Sequence, residues 1–257
     1  MGTPVGPRAS PLVIDLNADL GEDVGNDTAL LEIVTSANIA CGFHAGSEAT
    51  MREVCRLAVG RGVVLGAHVS YRDSTNFGRR PVTVTPAQLA EDVTEQIVTL
   101  RRVAAEVGGE VRYVKPHGAL YNVAAVDPVE SGAVVAALAD VDSSLVLLGL
   151  PNSQLQRAAA DRRIRFVAEA FADRAYLPSG ELVPRSEPHA VHHDPYTAVA
   201  QALGLAREHA VIANDGSTLH VVARSLCVHG DNPAAVTVAR QIRSGLVAAG
   251  LALAAFA

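Results

Sequence analysis

Tryptophan is absent from the 257 residues, aromatic residues make up only 4% of them, and the 21 basic residues are outnumbered by 27 acidic ones. Nucleic acids are held by excess positive charge and, when single-stranded, by aromatic stacking along a basic groove. A chain of net charge -6 with no aromatic-interleaved basic patch is therefore not expected to bind them. The three cysteines, Cys41, Cys55 and Cys227, are odd in number and never spaced C-x-x-C, which excludes a disulfide framework and a zinc knuckle. The apolar run LVAAGLALAAFA falls well short of the ~20 residues that cross a bilayer. The opening MGTPVGPRAS lacks the apolar stretch of a signal peptide. A cytoplasmic protein with no membrane partner is the expectation. A Walker A sequence, a G-x-S-x-G elbow and an H-E-x-x-H pair are missing as well, so no P-loop, serine-hydrolase or zincin site is signalled.

What is present is a 49% hydrophobic chain, enough for a substantial core, in which short β-branched runs alternate with helical stretches. Candidate strands are LVIDLN (12–17), ANIA (37–40), VVLGAH (63–68), VRYVKP (111–116), SLVLLG (144–149), IRFVAEA (164–170) and HVVARSLCVHG (220–230). Thr85-Pro86-Ala87-Gln88 reads as a helix start, with Thr as cap, Pro in the first turn and Gln to close a capping box. Asp127-Pro128-Val129-Glu130 follows the same logic. Leu89, Val93, Ile97, Leu100 and Val107 fall near a 3.6-residue period and predict one buried helix face. Glu91, Asp92, Arg101 and Arg102 read as that helix's wet face. Strands this apolar, separated by helices, predict a parallel sheet covered on both sides. About seven β/α units can close as a barrel or stay open as a doubly wound sheet. Residues 1–10 are expected to be a flexible N-terminus and 11–257 a single domain.

In either architecture the site lies beyond the carboxyl ends of the strands. Polar residues gather there: Asp15, Asn17, Asp19 and Glu22 at the first strand, then His44, His68, Lys115 with His117, Glu169 followed by Asp173 and Arg174, and finally His229 with Asp231. One histidine at a strand end is usually a hydrogen-bonded turn residue, whereas six such coincidences at one rim predict a polar pocket. Gly42, Gly46, Gly66, Gly78 and Gly118 lie beside these residues, where the chain turns tightly or approaches a ligand. Histidines and carboxylates relay protons near neutral pH, and His/Asp sets also bind divalent metals, but no ligand spacing signals one here. Cys41, flanked by apolar residues, reads as core packing. His189, His192 and His193 read as a solvated loop, and His209 and His220 likewise.

The stretches IDLNADLGE, SANIACGFHAG, GAHVSYRDSTNFGRR, VKPHGALYN, EAFADRAY, LVPRS and CVHGDNP stand in an order and spacing that resemble the LamB/YcsF lactam-utilisation family of 5-oxoprolinase A subunits, over roughly residues 12 to 250. The resemblance implies an irregular, distorted β/α barrel like that of the glycoside hydrolase/deacetylase superfamily. It also implies ATP-dependent opening of 5-oxoproline, a small-molecule lactam, to L-glutamate, with two partner subunits, B and C, taking part in handling ATP. For that chemistry, Asp19 with His44 or His68 is expected to orient and deprotonate water. Lys115 and His117 are expected to face the phosphorylated oxygen, and Arg174 or Arg185 to clamp the substrate carboxylate. Asn17, Glu169, His229 and Asp231 complete the substrate-binding set. An alternative is a metal-dependent, deacetylase-like hydrolase of another amide, and self-association into a homo-oligomer is left open. Two departures stand out. Val69 and Arg72 replace prolines the family pattern carries after the third strand, which is expected to loosen that loop. Ser47 replaces an Asp, and both residue types cap helices well.

Overall fold

Polar and apolar residues alternate along β1 (Val13–Leu20), and that alternation organises the molecule. Leu16, Ala18 and Leu20 join the apolar layer between sheet and helices, while Asp15, Asn17 and Asp19 turn towards the polar side chains of neighbouring strands. The computed structural model describes residues 12–229 and 235–257. The further strands are β2 (Ser36–Ala40), β3 (Val64–Val69), β4 (Val111–Pro116), β5 (Val146–Gly149), β6 (Phe166–Phe171), β7 (Ala210–Ile212), β8 (Thr218–His220), β9 (Ser225–Val228) and β10 (Ala252–Leu253). The helices are α1 (Asp27–Leu30), α2 (Glu48–Val59), α3 (Pro86–Glu106), α4 (Gly118–Val126), α5 (Pro128–Asp142), α6 (Gln154–Asp161), α7 (Pro195–Leu203) and α8 (Ala235–Ala248).

Strands β1 to β6 pair in sequence order, all parallel. β9 then inserts between β6 and β1, so that seven strands close a barrel. The closing register sets Asp15 opposite Ser225 and Asn17 opposite Cys227. The choice between barrel and open sheet is thus decided by a pairing between the two ends of the chain, which no local pattern reveals. β10 lies against the start of β1, and β7 with β8 forms an antiparallel hairpin outside the barrel. The stretch 220–230, expected as one strand, divides between the end of that hairpin and β9.

The helix starts follow the predicted chemistry. The Thr85 hydroxyl accepts from Gln88 N, the Asp127 carboxylate from Val129 N and Glu130 N, and Ser47 from Thr50 N. The Gln88 side chain does not close the box; it donates to Asp92. Asp92 is a correction: rather than facing solvent it is buried, and it also accepts from Arg72. The loop after β3 is tied down despite the missing prolines. Gln96 brackets Ser70 with bonds of 2.8 and 2.9 Å, and Arg72 reaches Asp92 and Glu95. Among the described residues no single helix is long and apolar enough to cross a membrane.

The barrel interior is polar for most of its length. Buried polar groups are tolerated only when hydrogen-bonded. Here Thr35, Ser36 and Ser225 donate hydroxyls to Asp15, and Asn38 donates to both Asn17 and Asp19. Tyr113 on β4 donates to Asn38, its ring lying where a Cβ on Gly66 would sit 2.1 Å away. Below this layer Tyr113 packs edge-on against Phe256 with Val146, Leu148 and Val167 and plugs the opposite end.

Burial lifts the Asp15 carboxyl to about 6; the hydroxyl donors offset this only in part, and Glu169 adds to it. Its pKa is higher folded than unfolded, so its contribution to stability is full below pH 3.8 and is lost as pH rises through about 6. Asp15→Asn should therefore reduce the fall in unfolding free energy between pH 4 and pH 7 by about 2 kcal/mol relative to the parent. Urea unfolding at the two pH values checks this, and equal slopes would contradict it.

Candidate active site

At the carboxyl ends of the strands the interior polar layer opens into a cavity of about 550 Å³, whose wall includes Asp19, Glu22, His68, Lys115, His117, Arg174, Arg185 and His229. Each of these arrives on an element whose sequence dictates its place. Asp19 and Lys115 point inward from β1 and β4 by the strand alternation. Glu22 follows Gly21, which has φ 73° and turns the chain over the strand end. His117 occupies the cap position of α4.

The loop over the mouth is held in an unusual backbone. Phe77 adopts φ 57°, an uncommon left-handed conformation for a bulky residue. That conformation aims its carbonyl at His117 Nε2, 3.0 Å away. The next residue, Gly78, has φ 63°, and a Cβ there would meet Ser70 Oγ at 2.3 Å and His117 Cδ2 at 3.0 Å. Glycine is required because the loop presses directly onto the histidine.

One wall is dominated by charge. Lys115 is 2% exposed, with its ammonium 3.0 Å from Glu169 and 3.3 Å from Asp19. Asn17 Oδ1 and Cys227 Sγ complete its surroundings at 3.3 and 3.2 Å. Burial alone would strip the ammonium of its proton; Asp19, the Cys227 sulfur and Glu169 reverse this and hold its pKa well above the ordinary lysine value. Burial likewise opposes charge on Asp19, but His68 and Lys115 beside it keep that carboxyl well below the usual range. His68 Nε2 lies 3.3 Å from Asp19 and 3.0 Å from His117 Nδ1. Burial, with His44 and His68 nearby, pushes the pKa of His117 well down, so its ring is neutral at physiological pH.

Across the cavity Asp173 holds His229. Its carboxylate accepts from His229 N at 3.0 Å and lies 2.9 Å from Nδ1, and the imidazole stacks on Phe171. Burial works against the charge on Asp173, and the His229 contacts outweigh it, leaving the pKa below the ordinary value. With Nδ1 engaged, Nε2 is the nitrogen that a molecule in the cavity meets, an arrangement suited to moving a proton.

The remaining residues singled out from the sequence fall in different places. His44 is buried behind the wall, its Nε2 3.2 Å from Glu22 and its ring stacked on His117 at 3.9 Å. It reaches the cavity only through them. Asn17 and Glu169 lie beneath Lys115. Arg174 lines the cavity, but its Nε and Nη2 donate to the carbonyls of Ala190 and Val183. Burial and the neighbouring Arg185 push its pKa down to about 10. Asp231 lies outside the described residues. Cys41 is core, its thiol pushed up by burial, and His189 and His193 are exposed. Glu22 and Asp173 stand in the rim read from the sequence but without a role there, since the groups they hold, His44 with His117 and His229, are distant in the chain.

The LamB/YcsF family model matches residues 14–257. The A subunit of 5-oxoprolinase from Streptomyces griseus is 52% identical over 250 residues, 95% of this chain and 100% of that protein. The crystal structure of the lactam utilization protein from Thermus thermophilus has a TM-score of 0.89 at 41% identity, covering 95% of this chain and 99% of its own. The catalytic domain of a peptidoglycan N-acetylglucosamine deacetylase from Eubacterium rectale, at 11% identity and a TM-score of 0.52, shares the fold alone.

Removing one partner of a buried ion pair leaves an uncompensated charge. Lys115→Met should thus destabilise the chain by about 3–5 kcal/mol in urea unfolding, with part of the loss recovered when Glu169→Gln is added. A loss below ~1 kcal/mol, the range of an exposed pair, would contradict the compensation described.

Proposed function

The chain belongs to the LamB/YcsF family, and on that premise we propose that it is the A subunit of an ATP-dependent 5-oxoprolinase, opening the lactam of 5-oxoproline to L-glutamate together with subunits B and C. The observation that carries this reading is the cavity itself, which sets Asp19, Glu22, His68, Lys115 and His117 opposite the Asp173–His229 pair.

A five-membered lactam resists water because amide resonance is strong and the ring re-forms readily. Transfer of the γ-phosphoryl group of ATP to the amide oxygen makes the ring carbon imidate-like and releases ADP. No Walker A sequence is present, so partner subunits supply the nucleotide site in this reading. Water then adds to the carbon, and the ring C–N bond breaks as the nitrogen takes up a proton. A second water hydrolyses the resulting acyl phosphate to glutamate and phosphate.

Each step needs a group that the wall provides. Asp19 and His68 hold and deprotonate the attacking water. Lys115 and His117 face the oxygen that carries the phosphoryl group. The imidazole of His229, oriented by Asp173, delivers the proton to the departing nitrogen. The substrate carboxylate is met by Arg185, which lines the cavity together with Arg174. Arg174 braces the 183–190 loop, and His44 positions Glu22 and His117 rather than meeting substrate. A cytoplasmic location, where ATP is available, fits this chemistry.

Two outcomes are expected. Purified chain mixed with subunits B and C, ATP and 5-oxoproline should release glutamate, and release should stop when any component is left out; no glutamate from the complete mixture would overturn the reading. In that mixture His229→Ala should lower kcat by about 10²–10⁴-fold with KM nearly unchanged, and Asp173→Asn should lower it by a smaller factor. An unaltered kcat in His229→Ala would remove His229 from the proton path.

A further inference from the structure

One wall of the cavity presents more acceptor atoms than donors. His68 Nδ1 lies 3.1 Å from Lys115 O, and His117 Nε2 lies 3.0 Å from Phe77 O. A carbonyl only accepts, so each of those nitrogens carries a proton and the opposite nitrogen of each ring is the one left for a ligand. These two nitrogens, His68 Nε2 and His117 Nδ1, face one another at 3.0 Å. Asp19 Oδ1 lies 3.3 Å from the first, and Glu22 Oε1 lies 3.4 Å from the second. Two imidazole nitrogens and two carboxyl oxygens thus converge on one spot, a donor set suited to a cation.

We propose that Asp19, Glu22, His68 and His117 form a binding site for one divalent transition-metal ion of the zinc type. The spacing suits it. A tetrahedral ion bonded to nitrogen and oxygen at about 2.1 Å holds its ligands about 3.4 Å apart. The three separations above are 3.0, 3.3 and 3.4 Å, and one ligand atom from each of the four residues lies within 4.8 Å of all the others. The mixed nitrogen and oxygen set favours zinc, cobalt or manganese over calcium and magnesium, which take oxygen.

Metal ligands are braced from behind by hydrogen bonds that fix their tautomer and orientation. Here His68 is tied to Lys115 O, His117 to Phe77 O, Glu22 to His44 Nε2 at 3.2 Å and Asp19 to Asn38 Nδ2 at 2.8 Å. The left-handed Phe77 and the close approach of Gly78 serve the second of these braces. Lys115 flanks Asp19 and repels a cation, but Glu169 pairs with it from below. Counting that residue, three carboxyl groups face one ammonium, an excess of two negative charges that a divalent ion cancels. With such an ion bound, Asp19 and His68 would hold the attacking water through it rather than deprotonate it directly, and the ion would lower that water's pKa.

The test reads binding, independently of ring opening. The full chain, stripped with a chelator, is titrated with zinc chloride by calorimetry, and its cobalt(II) form is examined by visible absorption. One ion per chain is expected, with a raised thermal midpoint and the cobalt spectrum of a tetrahedral nitrogen–oxygen site. The double variant Glu22→Gln, His117→Gln should lose affinity by more than the ~10–100-fold that removal of a supporting group costs. His117→Gln alone serves the same purpose if the pair does not fold. Glu22 and His117 belong only to this cluster and not to the second one, Asp19 with Cys227 and His229, so their variant also tells the two apart. Folded, stripped chain that takes up no zinc, cobalt or manganese stoichiometrically overturns the site. So does full affinity in the Glu22/His117 variant. Metal-loaded chain that binds as expected but fails to open the lactam with its partners counts against the proposed activity and not against the site.

Discussion

A buried ammonium is the constraint on which the mouth of this barrel depends. Lys115 cannot remain charged at 2% exposure without Asp19 and Glu169, and those carboxylates cannot remain buried without it. The three come from β4, β1 and β6, so their mutual need fixes strands that lie on different sides of the barrel. Asn17, Asn38 and Ser225 then satisfy what is left over, and Asp15 sits one layer down, where hydroxyl donors alone do not keep it ionised at mildly acidic pH. The polar interior is in effect the lower storey of the cavity.

Around that core the loops act as positioning devices. The segment after β3 holds Phe77 in a left-handed backbone and requires glycine at 78 so that one carbonyl meets one imidazole nitrogen. Gln96 and Arg72 hold the same segment from the side of α3, taking over the restraint that prolines would have provided. On the far wall Arg174 commits two donors to backbone carbonyls of the 183–190 loop, which brings Arg185 to the cavity edge. Groups that look alike in sequence therefore divide between those that meet the cavity and those that hold others in place.

Much of this was legible in the sequence, for identifiable reasons. Parallel strands covered by helices are short apolar runs, so all seven barrel strands stood out, and the side-chain caps at Ser47, Thr85 and Asp127 marked where three helices begin. The rim could be assembled because strand ends and site coincide in such folds. What stayed hidden depends on long-range geometry. Closure rests on β1 meeting β9, some two hundred residues away in the chain, and the pairing of Asp173 with His229 rests on the same fold-back. His44 could not be told from His68 by type or spacing, yet one backs the wall and the other lines it. Asp92 looked like a solvated helix residue because the loop that buries it belongs to another part of the chain. Glu22 carried no signal beyond its charge and its place at a strand end.

The central claim is that strand-end groups from both walls form one cavity in which the lactam is held. Histidine ring proton resonances, followed while 5-oxoproline is titrated into the chain, test it most directly. His68, His117 and His229 should shift together with one dissociation constant while the exposed His189 and His193 stay in place. A lactam that moves none of the three, in protein that still supports ring opening with its partners, would put the chemistry elsewhere and contradict the claim.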